Sequence, residues 1–400
     1  MKIQIRSARS KAVTWLLVLI LAGYPAAAML VNFAGVDSTA ITGPYRAFVV
    51  LLAVSLICSG MLSPLRGSLR LSLGVFLALY LCRLFYDHLF ALHPDAAQAL
   101  TFFLLATLIP TLAVALAIDE RFSERDFAMR LYWVSLGLVA GYYLLVARGA
   151  IITGVGERAS LVALNPISLG HLAATASLVG IYLALSQSGL RYKFAALLIV
   201  VLSIPILLNA GSRGPLVAFI FGVLWITVSN KKRLAQMLPV MLVAALMIPR
   251  DNLVFERLQG VTGDLDASVL IRLQLQISGI NDMMEAPLIG KYFLDPEFGM
   301  GFWPHNVFIE AGMAMGVFGL ALCVYIFFNL FVVLATKLSD RHILLSAAFV
   351  QAFIAAQFSG SIWGADKLFA LTAVAFALAR FQDREARQQR FAKMSQSTAA

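Results

Sequence analysis

Charge is what this 400-residue chain has least of. Asp, Glu, Lys and Arg make up 13% of it, against about 25% in soluble domains. Acidic side chains are the scarcer sign, 21 against 31 basic. Cysteine is nearly missing too. Cys58, Cys82 and Cys323 each lie inside an apolar run, with neither CxxC nor histidine spacing, which argues against a disulfide scaffold or a zinc site. There is no P-loop and no GxGxxG opening a helix, so no nucleotide site is visible. The acids Asp251, Glu256, Asp264, Asp266, Asp282, Glu285, Asp295 and Glu297 form no regular calcium loop. Low complexity is confined to a polar tail, 381–400.

What is present is hydrocarbon. Apolar residues make up 60% of the chain and mean hydropathy is +0.85. This composition excludes a water-soluble enzyme and a disordered chain; the bilayer is the solvent, and the backbone must be satisfied internally. A helix needs about 20 mostly apolar residues to cross. Twelve segments qualify: 12–31, 45–63, 71–92, 98–118, 130–148, 166–187, 193–210, 215–229, 234–249, 306–335, 343–358 and 366–380. The eighth, ninth, eleventh and twelfth are short, and the tenth is long. The runs are continuous rather than alternating, which argues against a β-barrel. The fold expected is an all-α polytopic membrane protein of about 12 transmembrane helices, a single integral domain over 1–400. The basic N-terminus MKIQIRSARSK precedes an apolar run like a signal peptide, but eleven spans follow, so it reads as an uncleaved first helix.

Lysine and arginine set the direction. With the N-terminus inside, every inside segment is basic, and together these segments hold 21 of the 31 basic residues. Both termini and the 381–400 tail are therefore expected in the cytoplasm. Two longer loops, roughly 149–165 and 250–305, are expected outside. The net charge of +10 is mostly this bias and gives no reason to propose nucleic-acid binding.

Five constellations could carry chemistry. Gly211-Ser212-Arg213-Gly214-Pro215 opens the eighth span. Ser212 can cap the helix and Pro215 suits its first turn, so Arg213 stands where free N–H groups and the positive dipole end already favour an anion. The plainer reading is a tight turn with a snorkelling arginine. Arg272 and Gln276 flank an apolar stripe of Leu270, Leu273, Ile277, Ile280 and Met284, whose 3,4,3,4 spacing predicts an amphipathic helix outside the membrane and lying on it. A solvated surface arginine is the alternative. Pro304-His305-Asn306 precedes a long apolar helix. A histidine at a helix N-terminus is held neutral by the dipole and can act as a general base; the alternative is an interfacial or capping histidine beside Trp303. Arg158 in the 149–165 loop is either a second anion contact or a loop arginine. Arg83 and Asp87, at i,i+4 within the third span, either pair structurally or line a cavity.

In this order the motifs resemble the O-antigen ligase family, bacterial membrane proteins that include O-antigen and exopolysaccharide polymerases. The residues carrying the resemblance are Ser212-Arg213-Gly214, then Arg272 with Ala286-Pro287-Leu288-Ile289-Gly290, then His305-Asn306 followed by Glu310, Gly312, Gly316 and Gly319. It covers roughly 150–325; the first six spans match only in hydropathy. The resemblance implies a GT-C-like fold in the bacterial inner membrane and a metal-independent, cofactor-free, inverting glycosyltransferase. That enzyme would move a glycan from undecaprenyl pyrophosphate to a sugar hydroxyl of lipid A–core at the periplasmic face, in lipopolysaccharide biosynthesis. A polymerase would use a second lipid-linked repeat unit as acceptor. By the same resemblance Arg213 and Arg272 contact the pyrophosphate, His305 deprotonates the acceptor, and Arg158, Ser212, Gln276, Asn306 and Arg83 are substrate-binding candidates. A lipid-linked glycan flippase or transporter is the competing class; it predicts broken helices and midplane charge in both halves.

Overall fold

A computed structural model describes residues 2–59, 68–150, 152–153, 158–186, 189–228, 267–299, 301–338 and 341–399. The ninth expected span, 234–249, and the start of the long loop lie outside the described residues. Among the described residues, eight helices are long and apolar enough to cross a membrane.

The first crosser is α1 (Lys2–Val18) running through a π turn, Leu19–Gly23, into α2 (Tyr24–Ala34). The Tyr45 hydroxyl donates to the Leu19 carbonyl at 2.9 Å, so a carbonyl in the widened turn still has a partner. Next come α3 (Ser38–Cys58) and α4 (Ser68–Leu89), and then α5 (Ala96–Phe102), joined by a second π turn to α6 (Ile109–Ala117). They are followed by α7 (Glu124–Ala147), α8 (Pro166–Ser186), α9 (Leu190–Asn209) and α10 (Arg213–Val228). Between α7 and α8 a small hairpin pairs β1 (Ile152–Thr153) with β2 (Ala159–Ser160). It is pinned to α2 by Tyr24, whose hydroxyl donates to Ala163 O at 3.1 Å, and by Asn32, whose side chain accepts from Val162 N at 3.1 Å.

The rest of the chain is α11 (Ala267–Glu285), α12 (Val307–Val333), α13 (Ile343–Ala355) and α14 (Asp366–Ala399). The polar stretch 381–399 is helical, a continuation of α14 to Ala399. The expected amphipathic helix is α11. Its stripe of Leu270, Leu273, Ile277, Ile280 and Met284 is 43–68% exposed. Leu275 and Gly279 lie on the buried side, Gly279 against Pro304, Ile309 and Met313.

Two features shape the region around α11. The first is a break in α12 at Gly316, whose φ of 65° and ψ of −161° are non-helical. The chain Pro287–Lys291 fills the break: Val317 N donates to Pro287 O at 2.7 Å and Lys291 N to Met313 O at 2.8 Å. The backbones cross so closely that a Cβ on Gly290 or Gly316 would lie 2.4 Å from main-chain atoms of the other strand. Both glycines also hold positive φ, so the space and the backbone both demand glycine.

The second is the Arg83–Asp87 pair. Arg83 Nη2 meets Asp87 Oδ1 at 2.6 Å, Arg83 Nη1 donates to Gly290 O at 3.2 Å, and Asp87 Oδ2 accepts from Phe293 N at 2.8 Å. The guanidinium also lies over the Tyr86 ring. Arg83 and Asp87 therefore clamp the 290–293 segment to α4; the Arg83 Nε is buried without a hydrogen-bond partner, and Arg83 lines neither of the two openings described below.

The last feature is length. Helix α13 has 13 residues, about 20 Å at 1.5 Å per residue, too short for a hydrocarbon core of about 30 Å. The connection from α13 to α14 is irregular apart from one 3-10 turn, Ile362–Gly364, and Ser361 and Ile362 within it are buried. This connection lines the site.

Candidate active site

Three separate elements bring their arginines to one cleft. Arg158 comes from the hairpin, immediately before β2. Arg213 is the first residue of α10, with Ser212 before it, and Arg272 stands in the second turn of α11. All four residues line a single cleft together with Gly211, Gly214, Pro215, Phe358 and Ser359. The aliphatic stem of Arg158 lies against Gly211, where a Cβ would meet Arg158 Cγ at 3.1 Å. Its Nε is buried with no hydrogen-bond partner. Ser212 is buried beside it. The cleft thus gathers cations from a hairpin, a helix start and an amphipathic helix, and guanidinium forks suit phosphate oxygens.

Next to this cleft is a cavity of about 570 Å³. The two share Ile167 and Ser359 as wall residues. His305 lines the cavity with Trp303, from the chain entering α12, together with His171, Gln351, Asp366 and Lys367. His305 adopts φ 52°, a left-handed backbone that costs an L-residue about 1–2 kcal/mol and that clusters at functional sites. Its ring makes an edge contact with Trp303, and Trp303 makes another with Trp363. Burial, and then the nearby Arg272 charge, lower the His305 pKa from 6.5 to about 4. Burial and the Arg272 charge thus act in the direction expected of the helix dipole, favouring the neutral ring. The Arg272 contribution places the histidine within electrostatic reach of the arginine cleft.

Asn306 and Gln276 stand apart from both openings. The Asn306 Oδ1 caps α12, accepting from Phe308 N at 3.0 Å and Ile309 N at 3.2 Å. Gln276 is half-buried one turn beyond Arg272 and lines neither the cleft nor the cavity. Glu310 lines the cavity, but its carboxylate is fully employed. Oε1 accepts from the Tyr80 hydroxyl at 2.7 Å and from Ser361 at 2.9 Å, and Oε2 accepts from Ile362 N at 2.9 Å. It ties α12 and α4 to the turn between α13 and α14.

Sequence reasoning missed the far wall of the cavity: His171, Thr175, Gln351, Asp366 and Lys367. The available signal was the shortness of the eleventh and twelfth apolar segments, with Ser359-Gly360-Ser361 between them and Asp366-Lys367 opening the twelfth. Among the described residues no three His, Cys, Asp or Glu side chains converge as a metal set.

No protein-family model matches this chain, and comparison with curated proteins finds no match.

Proposed function

We propose that the protein is a glycosyltransferase of the O-antigen ligase type. It moves a glycan from undecaprenyl pyrophosphate to a sugar hydroxyl of lipid A–core at the periplasmic face of the bacterial inner membrane. The observation that carries this reading is the convergence of Arg158, Arg213 and Arg272 in one cleft beside the His305 cavity.

In this mechanism the donor diphosphate occupies the arginine cleft and the acceptor sugar the cavity. The acceptor oxygen attacks the anomeric carbon, the bond from that carbon to the diphosphate oxygen breaks, and the electron pair leaves on the diphosphate. The acceptor proton passes to His305. Charge develops on phosphate oxygens, where fixed guanidiniums stabilise it more than water would. Leaving group and base act from adjoining compartments, which favours a single displacement with inversion. Donor binding also prepares the base: a diphosphate offsets the Arg272 charge that disfavours imidazolium, so the His305 pKa rises once the donor is in place.

The flippase reading needs broken helices that open a path in both halves. The break in α12 is filled by the protein's own Pro287–Lys291 backbone, which favours the enzyme.

The test is release of polyprenyl diphosphate by purified protein given donor and acceptor. Arg213→Lys and Arg272→Lys should each lose most activity at equal membrane abundance, because lysine keeps the charge but not the fork. Wild-type release by either variant would remove that arginine from the site.

A further inference from the structure

A second cluster of arginines lies at the other end of the bundle. Arg70 is in the first turn of α4, 13 residues before Arg83 and so about 20 Å along the same helix from the clamp. It is 4% exposed, and its Nε, Nη1 and Nη2 are all buried without a hydrogen-bond partner. Its charged neighbours are Arg380 and Arg384, one turn apart on α14, which packs against α4.

The acids of the same stretch of α14 are turned to other partners. Asp383 pairs with Lys337 at 2.7 Å and Glu385 with Arg341 at 3.3 Å. Asp119, in the α6–α7 connection, accepts from Arg121 N, and Glu124, the first residue of α7, accepts from Leu345 N and faces His342. Among the described residues Arg70 has no carboxylate partner, and a buried guanidinium with two like charges beside it is costly. Nothing in the mechanism uses it, and a structural role would call for a carboxylate.

We propose that Arg70, Arg380 and Arg384 form a binding site for a phosphate-bearing anion, on the side of the membrane opposite the arginine cleft. Five guanidinium donors per arginine match the several oxygens of one phosphate. The uneven distribution of lysine and arginine assigns this end to the cytoplasm, where anionic phospholipids face basic pockets between helices. Arg384 is exposed and Arg380 half-buried, so the anion approaches past Arg384 and reaches Arg70 beneath. The phosphate is either a lipid headgroup or a soluble anion. The site stands independently of the proposed glycosyl transfer.

The experiment measures the unfolding midpoint of the full chain in delipidated maltoside micelles. Phosphatidylglycerol, phosphatidylcholine and inorganic phosphate are titrated separately, and bound lipid is counted by native mass spectrometry. At least one anionic probe should raise the wild-type midpoint. A response to phosphatidylglycerol alone identifies a lipid headgroup; an equal response to inorganic phosphate identifies a soluble anion. Arg70→Met should abolish the response and, without anion, be at least as stable as wild type, because it removes an uncompensated buried charge. Should Arg70→Met fail to fold, the exposed Arg384→Gln supplies the test by weakening the response, while Arg387→Gln leaves it intact. A wild-type midpoint unmoved by phosphatidylglycerol and phosphate would overturn the site. So would an Arg70→Met or Arg384→Gln variant that responds as wild type does.

Discussion

His305 is the residue whose chemistry can be read most directly. Burial and Arg272 hold its pKa near 4, so the ring is neutral at neutral pH and able to accept a proton. A general base typically contributes about 10²–10⁴-fold. His305→Ala should lower transfer by about that factor and leave donor affinity nearly unchanged, as measured by single-turnover kinetics and donor titration. The active form is the neutral one, so the rate should fall as pH drops. In the free protein the fall follows a pKa near 4; in the donor-bound protein it should follow a higher one, and it should vanish in the variant. A variant whose main defect is lost donor affinity would recast His305 as a diphosphate ligand. Arg213, Arg272 and His305 were legible because each stands at a helix start or on a helix flank that sequence spacing reveals. Arg83 was ambiguous, since an i,i+4 pair looks the same in a sequence whether it lines a cavity or clamps a loop. The clamp shows only in the folded contacts, Arg83 to the Gly290 carbonyl and Asp87 to Phe293 N.

At the scale of elements, the broken α12 and the chain crossing it define the region that carries Arg272 and His305. Gly290 and Gly316 belong to the sequence motifs, but their shared reason, two backbones crossing at positive φ, is a property of a contact 26 positions apart in the chain and is invisible to local pattern. Gly290→Ala and Gly316→Ala should each destabilise the protein. The left-handed backbone alone costs about 1–2 kcal/mol, and overlap with main-chain atoms adds to it because no side chain can move aside. Gly299→Ala, where a Cβ meets nothing within 4 Å, should leave the unfolding midpoint unchanged. Thermal unfolding of the three variants checks this; equal midpoints would contradict the crossing. The cavity wall from α8, α13 and α14 was the part least legible. Its polar residues come from distant segments, His171 and Thr175 from α8, Gln351 from α13, Asp366 and Lys367 from α14, with no sequence spacing to connect the three helices.

Over the whole molecule, scarcity of charge predicts a helical membrane protein, and the described residues hold eight helices long and apolar enough to cross. Direction is a separate matter, resting on the basic residues of the loops. In a variant with Cys58, Cys82 and Cys323 replaced, impermeant thiol reagents applied from outside should label Asp264→Cys and spare Lys231→Cys and Arg390→Cys. The reverse pattern would put the arginine cleft on the wrong side for a periplasmic acceptor. The measurement that bears most directly on the central claim is reconstitution of the purified protein with undecaprenyl-pyrophosphate-linked glycan, with and without lipid A–core, in the presence of EDTA. The account predicts glycan joined to the core and stoichiometric undecaprenyl diphosphate released, only when acceptor is present and undiminished by the chelator. Intact lipid-linked glycan moved across the bilayer, with no new glycosidic bond formed, would contradict it.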